Sequence, residues 1–225
     1  MPYPQNWTVY SSGTFSAGLM AISGGVIRTV EAGLATSFIM SPLQNGASLL
    51  LYASNAVGNL VRLGDTAMSV GTLQTRMRVA RVVAPTVAVM ETGFFFLQTA
   101  AALFSNPVSC YGFTWTPASG AFAVKKYAQQ IGGDTATTLA ANSSFTVAIN
   151  TEMVLRVSWA ASAGGTQIVA YAQAGSSLTF ASSLFSLFDT TSPLTPASAV
   201  TQGLGLHENS GGSLVLFDST TLSNK

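Results

Sequence analysis

The segment from Cys110 to Tyr127 constrains the fold of this chain more than any other part of the sequence. Its first half, CYGFTWT, places an aromatic side chain at every second residue, and its second half, AFAVKKY, resumes the alternation after the turn-forming residues PASG. Alternation of this kind is typical of strands, because successive side chains of a strand point to opposite faces of a sheet. We therefore predict a β-hairpin whose first strand carries Tyr111, Phe113 and Trp115 on one face.

Similar segments recur along the rest of the chain. Short runs of β-branched and aromatic residues alternate with turns rich in Gly, Asn and Ser, which is typical of an all-β sandwich or jelly roll. The one candidate helix is the short stretch Ser182–Phe188. The predicted strands are 26–30, 48–52, 59–63, 72–83, 86–99, 111–115, 121–127, 144–149, 153–159, 166–172, 203–207 and 213–217.

The apolar run from Val82 to Phe104 is long enough to span a bilayer as a helix. It contains Pro85 and Glu91, however, and a carboxylate at mid-span costs roughly 2.5–3.5 kcal/mol even on insertion-derived scales. Gly93 and the three phenylalanines that follow it divide the run further. Two buried strands explain this run better than one membrane helix, so we predict no membrane insertion.

The beginning of the chain differs from the rest. Residues 1–25 are rich in Tyr, Pro, Ser and Gly with little alternation, so we predict an N-terminal arm followed by a β-sandwich domain over 26–225. We expect no secretory signal, because no basic segment precedes an apolar core. An arm of this kind gains order by lying against another surface. Tyr3, Trp7 and Tyr10 are aromatic anchors of the type that dominates interfaces, and we predict that they contact other subunits.

Charge is scarce in this sequence. Charged residues make up 8% of the chain, against roughly 25% in ordinary soluble domains. A surface with so few charges has little protection against association, so we predict a homo-oligomer that packs among neighbours. The only basic cluster is Arg76, Arg78 and Arg81, of which the first two share a strand face, and the net charge is +1. Nucleic-acid binding needs a broad positive patch, so we predict no nucleic-acid partner.

The acidic residues give little support for catalysis. Glycoside hydrolysis needs two carboxyl groups of different pKa, yet no pair of acids stands at i, i+2 or i+4. Convergence through space is the remaining route to a hydrolase. The eight acidic residues are Glu31, Asp65, Glu91, Asp134, Glu152, Asp189, Glu208 and Asp218.

Nucleophilic and metal-dependent sites lack their usual residues as well. His207 is the only histidine, which excludes a His-rich zinc site, and no Gly-x-Ser-x-Gly motif accompanies it. Cys110 is the only cysteine, and we expect a small buried hydrophobe there. Calcium needs clustered oxygen ligands, whereas Asp134, Asp189 and Asp218 are isolated. We therefore predict a protein that is not an enzyme and holds no metal or cofactor, with His207 at a strand end or in a loop.

The order of the later segments carries a family resemblance. The YGFTWT and AFAVKK strands precede VLRVSW at 154–159 and QIVAY at 167–171, and the chain closes with GLGLH at 203–207 and SLVLFD at 213–218. This order resembles the concanavalin A-like lectin and glucanase sandwich. The resemblance covers about residues 48–222 and implies a two-sheet antiparallel jelly roll. It implies no single activity, because the fold hosts enzymes, lectins and virion modules.

The low charge and the Ala/Ser/Thr/Gly-rich composition are also similar to those of phage virion proteins. We therefore predict a non-enzymatic structural component of a virus particle, such as a capsid decoration, tail or fibre protein, with other virion proteins as partners. The alternative is a carbohydrate-binding module for host glycan, in which Tyr111, Phe113 and Trp115 stack on sugars, with Trp159 and Tyr171 in reserve. Core packing is the competing role of these rings and the one that the alternation favours. A glycoside hydrolase is the least favoured reading.

Overall fold

The computed structural model describes residues 7–11, 20–23, 26–29, 48–52, 59–63, 68–82, 90–98, 109–128, 136–194, 201–208 and 214–223. Every regular element within these ranges is a strand, and the strands form two sheets. The seven-stranded sheet has the order β1 (Trp7–Ser11), β5 (Asn59–Leu63), β14 (Thr201–Glu208), β7 (Met90–Gln98), β8 (Cys110–Thr116), β9 (Ala121–Tyr127) and β10 (Ala136–Asn142). The eight-stranded sheet has the order β13 (Phe185–Asp189), β12 (Gly165–Ala174), β11 (Glu152–Ser162), β6 (Val70–Arg81), β15 (Leu214–Ser223), β4 (Ser48–Tyr52), β3 (Val26–Thr29) and β2 (Met20–Ser23).

The two sheets are antiparallel apart from the parallel pair of β3 and β4. The predicted hairpin is confirmed as β8 and β9, which pair from Cys110 opposite Tyr127 to Thr116 opposite Ala121. Gly120 closes its turn with a φ of 62°, a left-handed conformation that favours glycine. β7 occupies part of the apolar run that we had tested as a membrane span. Within the described ranges, no helix is long and apolar enough to cross a membrane.

Two local predictions are wrong. The candidate helix Ser182–Phe188 is largely the edge strand β13, which pairs with β12 and gains backbone hydrogen bonds that an isolated turn of helix lacks. The predicted strand 144–149 is a turn region that follows β10. The side-chain oxygen of Asn142 accepts hydrogen bonds from the amides of Ser144 and Phe145, which closes a turn and ends the strand.

The core lies between the two sheets. The eight-stranded sheet supplies Met153, Leu155, Val157 and Trp159 from one face of β11, and all four are buried. The seven-stranded sheet supplies the rings of β7 and β8. Phe96 stacks on Trp159 across the interface, with ring centroids 5.0 Å apart. Burial of such rings supplies much of the apolar area that stabilises a domain of this size.

Only parts of the predicted arm can be placed. β1 pairs with β5 and β2 pairs with β3, so both strands lie in the sheets. Within β1, Trp7 is opposite Leu63 and Tyr10 is opposite Leu60. Tyr3 lies outside the described residues. The division into an arm and a sandwich domain, and the contacts of the three aromatic residues with other subunits, stay predictions.

Candidate functional site

The three rings proposed as a sugar-stacking platform lie in the core. Tyr111, Phe113 and Trp115 are all fully buried, and Trp115 is buried although it lies next to the turn. Tyr111 stacks on Phe96 at 5.6 Å, and Phe113 meets Phe185 of the other sheet edge-on at 6.1 Å. The face of β8 that carries these rings packs against the second sheet and does not meet solvent. These rings therefore present no open face to a sugar, which corrects the platform interpretation.

One polar cluster joins the two sheets. The Tyr111 hydroxyl donates to Asp189 Oδ2 at 2.6 Å, and Lys126 Nζ lies 2.9 Å from the same oxygen. The amide of Thr191 donates to Asp189 Oδ1 at 2.9 Å, and Lys126 also donates to the carbonyl of Ser192. Burial opposes ionisation of Asp189, but these hydrogen bonds outweigh it and hold the pKa of Asp189 below its ordinary value of 3.8. The carboxylate is thus committed to protein donors rather than to a metal ion.

A second polar cluster lies on the outer face of the seven-stranded sheet, the face turned away from the core. Glu91 of β7 forms an ion pair with Lys125 of β9, and the Tyr127 hydroxyl donates to Glu91 Oε2 at 2.6 Å. Glu91 and Tyr127 are buried. Burial first, and then the charge of Glu91, raises the pKa values of Tyr127 and of the neighbouring Cys110 thiol. The prediction that Cys110 is a buried residue is confirmed.

Gly112 makes this cluster possible. A Cβ atom added at Gly112 would lie 2.7 Å from Cε2 of Tyr127, so the ring lies over the bare backbone of β8. Tyr127 can therefore reach from β9 across β8 toward β7. Strand pairing also places His207, one residue from the end of β14, opposite Glu91. No spacing rule along the chain could find this cluster, because Lys125 and Tyr127 lie 34 and 36 residues from Glu91.

The outer face of the eight-stranded sheet has a different character. Arg156 of β11 stands opposite Tyr171 of β12, and the loop after β12 brings Phe180 to the same place. The guanidinium carbon of Arg156 is 4.4 Å from the Tyr171 ring centroid and 4.7 Å from that of Phe180. All three side chains are half-buried, and the two rings are 5.2 Å apart. A guanidinium over aromatic rings at these distances is a cation–π contact.

This aromatic group continues along β12 toward the sheet edge. Phe188 of β13 is 54% exposed and stands opposite Gln167. Gln167 and Tyr171 are four residues apart on one strand face, which corresponds to about 13 Å at 3.3 Å per residue. We call the surface formed by Phe188, Gln167, Tyr171, Arg156 and Phe180 the aromatic–arginine face. Partly exposed amide and hydroxyl side chains border it, namely those of Gln74, Thr72, Ser158 and Ser186.

Part of this surface was predicted from the sequence. Tyr171 was the reserve ring, whereas the other reserve ring, Trp159, is buried and donates its indole N–H to the carbonyl of Met68. Arg76 and Arg78 do share a strand face, as predicted from the alternation. Phe180 could not be found from periodicity, because a loop and not a strand positions it. Among the described residues, no group of three His, Cys, Asp or Glu side chains could hold a metal ion.

Comparison with known proteins reveals similarity of fold. No family model and no curated protein sequence matches this chain. A marine PL-14 alginate lyase from Aplysia kurodai has a TM-score of 0.55 at 9% identity, covering 84% of this chain and 87% of the lyase chain. A GH43 glycoside hydrolase engineered for endo-xylanase and exo-arabinofuranosidase activity has a TM-score of 0.51 at 9% identity, covering 84% and 36%. A bifunctional GH43-CE protein of Bacteroides eggerthii has a TM-score of 0.50 at 10% identity, covering 79% and 22%.

These comparisons correct one prediction and confirm another. The prediction that the chain is not an enzyme is contradicted, because three solved structures that share its fold with TM-scores of at least 0.50 come from a lyase and two GH43 proteins. That prediction rested on acids isolated along the sequence and on a single histidine. This chain spans about a third or less of the two GH43 proteins, so those matches concern one part of them. The fold itself is the two-sheet, concanavalin A-like jelly roll that the sequence predicted.

Proposed function

We propose that this protein binds carbohydrate and that the aromatic–arginine face is the surface that contacts it. The observation that carries the proposal is the exposure of Phe188, together with the half-exposed rings of Tyr171 and Phe180, on a sheet face bordered by amides and hydroxyls. Sugars present apolar C–H faces that stack on aromatic rings, and hydroxyl edges that hydrogen-bond to amides. A few polar groups among exposed rings meet both requirements.

The dimensions of the face favour an extended ligand. Phe188 and Tyr171 mark two aromatic positions separated by the run from Gln167 to Tyr171, about 13 Å along the strand. A single sugar would cover only one of them. Beside Phe188, the side chains of Gln167 and Ser186 offer hydrogen-bonding groups on the same face, and Gln167 Nε2 lies 3.5 Å from Ser186 Oγ. A short oligosaccharide segment lying along β12 would use both aromatic positions and these polar groups.

The fold is consistent with this proposal but does not carry it. Three neighbours with TM-scores of at least 0.50 are described as an alginate lyase, a GH43 glycoside hydrolase with endo-xylanase and exo-arabinofuranosidase activity, and a bifunctional GH43-CE protein. Binding a glycan is the step that such enzymes share with a lectin-like module. The proposal therefore concerns the binding surface and holds with or without bond cleavage. Residence in a virus particle, other virion proteins as partners, and homo-oligomer formation stay predictions from composition.

A glycan array followed by titration calorimetry tests the proposal. We expect the intact protein to bind at least one oligosaccharide, and the Phe188→Ala variant to bind it about tenfold or more weakly without a change in Tm. Ile149→Ala is the matched control, because Ile149 is an exposed apolar side chain in a turn and is not one of the residues that form this face. Absence of binding to any glycan, or equal binding by wild type and Phe188→Ala, would contradict the proposal.

A further inference from the structure

Arg156 differs from Arg76 and Arg78, which lie on the same sheet face, in what stands opposite it. Asp218 stands opposite Arg76, and Glu152 stands opposite Arg78. The positions opposite Arg156 on its two neighbouring strands belong to Tyr171 and Gln74, neither of which is acidic. The strand register therefore provides an acidic neighbour for two of the arginines and none for the third.

The contacts of Arg156 agree with this register. Among the described residues it takes part in no ion pair, and its buried Nε atom has no hydrogen-bond partner. Glu152, the acid on the same strand, is four residues away, or about 13 Å between Cα atoms. What holds the guanidinium is the pair of rings at 4.4 and 4.7 Å. Contacts to the flat face of a guanidinium leave its N–H groups, which lie in the plane, available to an acceptor.

We propose that Arg156 binds a carboxylate of the glycan, so that the ligand is an acidic polysaccharide containing uronic acid residues. This inference rests on the proposed carbohydrate function and specifies its ligand class. A guanidinium matches a carboxylate with two parallel N–H···O bonds, the strongest common form of charge-assisted hydrogen bonding. In a uronic acid, the carboxylate projects from the rim of the ring. A uronic acid that lies on this face beside the two rings can therefore turn its carboxylate toward the neighbouring guanidinium.

Partial burial of Arg156 makes its charge matter more for binding an acidic ligand than the charge of Arg78. Charge interactions are stronger at half-buried positions than at exposed ones, because water screens them less. Arg156 is half-buried, whereas Arg78 is exposed and stands opposite Glu152. Removing the charge at Arg156 should therefore weaken binding of an acidic ligand far more than removing the same charge at Arg78.

The test is a comparison of each acidic oligosaccharide with its own neutral form. Oligomers of galacturonate, glucuronate and mannuronate, each paired with the same oligomer after chemical reduction of its carboxyl groups, are titrated into the intact protein by calorimetry. We expect at least one acidic oligomer to bind, and its reduced form to bind about tenfold to a hundredfold more weakly. Arg156→Gln should weaken binding of the acidic form by a similar factor, and by a much larger factor than it weakens binding of the reduced form.

Two further variants test whether the loss of affinity is specific to the guanidinium of Arg156. Arg156→Lys keeps the charge but loses the two-pronged geometry, so it should recover only part of the affinity. Arg78→Gln removes the same charge from the same face and should change affinity less than threefold. Melting temperatures of all variants confirm that they fold.

Each outcome bears on one claim. Equal binding of the acidic and reduced oligomers, unchanged in Arg156→Gln, would overturn the acidic-ligand inference and leave the carbohydrate function standing. An equal loss of affinity in Arg78→Gln and Arg156→Gln would overturn the assignment of a carboxylate to Arg156. Tighter binding of a sulfated glycan without uronic acids than of any uronate oligomer would overturn it as well. Failure to bind any glycan would overturn the proposed function itself.

Discussion

Glu91 and Arg156 lie on the outer faces of the two sheets, and the surrounding residues hold their charges in opposite ways. On the seven-stranded sheet, the buried carboxylate of Glu91 is matched by Lys125 and by the hydroxyl of Tyr127. On the eight-stranded sheet, Arg156 is held against two aromatic rings, and no acidic residue stands opposite it. A buried charge without a partner is strongly destabilising, whereas a half-exposed arginine keeps part of its hydration. The first arrangement therefore stabilises the fold, and the second leaves binding capacity for a ligand.

The largest effect that tests this comparison is the loss of the buried carboxylate. Glu91→Ala leaves the Lys125 ammonium without its partner and removes the acceptor of Tyr127, so we expect a loss of about 3–5 kcal/mol in the free energy of unfolding. Arg156→Gln on the other face should cost less than about 1 kcal/mol, as is usual for side chains without hydrogen-bond partners near the surface. Urea denaturation of both variants gives the two values. Similar losses in both would mean that the two faces do not differ as described.

A pair of matched tyrosines sharpens the comparison at smaller scale. Tyr127→Phe removes the donor of the 2.6 Å hydrogen bond to Glu91, and we expect it to cost about 1–3 kcal/mol. Tyr171→Phe makes the same chemical change on the aromatic–arginine face, where the described residues provide no hydrogen bond to the hydroxyl and the ring contact to Arg156 is kept. We expect its cost to stay below about 0.5 kcal/mol. The same unfolding experiment measures both, and a reversed order would contradict this account of the two faces.

The alkaline fall in stability should include a contribution from the buried phenol of Tyr127, beside those of Tyr111 and Cys110, whose pKa values burial also raises. The pKa of Tyr127 in the folded protein lies above the ordinary value of 10.0. Above about pH 10 the unfolded chain therefore releases a proton that the folded chain keeps, and stability falls as pH rises. Tyr127→Phe should flatten this fall, while Tyr171→Phe should not alter it. Unfolding free energies measured between about pH 8 and about pH 11 give the slopes, and identical slopes for wild type and Tyr127→Phe would argue against a buried phenol.

Periodicity was sufficient to predict the sandwich but only fragments of its surfaces. The period-two pattern identified the β8–β9 hairpin and the strand β11, because each is decided by neighbours along the chain. It misread Ser182–Phe188, where the apolar spacing fits a short helix as well as an edge strand and the pairing with β12 decides. The cluster of Glu91, Lys125 and Tyr127 depends on which strands adjoin and on the bare backbone at Gly112.

The aromatic–arginine face shows the same limit of prediction from sequence. Tyr171 could be named as a candidate ring from its residue type and strand position. Its partner Phe180 lies in a loop, and the opposition of Arg156 and Tyr171 depends on the register between β11 and β12. Register between strands is set by the hydrophobic pattern and by the turn that joins them, and it cannot be read from one strand alone. Arg156 is therefore recognisable as a candidate ligand-binding residue only when the pairing of β11 with β12 is known.

The most direct test of the central claim is to map the bound glycan on the protein by NMR. Isotope-labelled protein is titrated with the tightest-binding oligosaccharide from the array, and the shifts of backbone amides and aromatic side chains are followed. The account predicts the largest shift changes at Arg156, Tyr171, Phe180 and Phe188, and none at Glu91 or Tyr127. Shift changes centred on Glu91 and Tyr127, with the aromatic–arginine face unaffected, would contradict it.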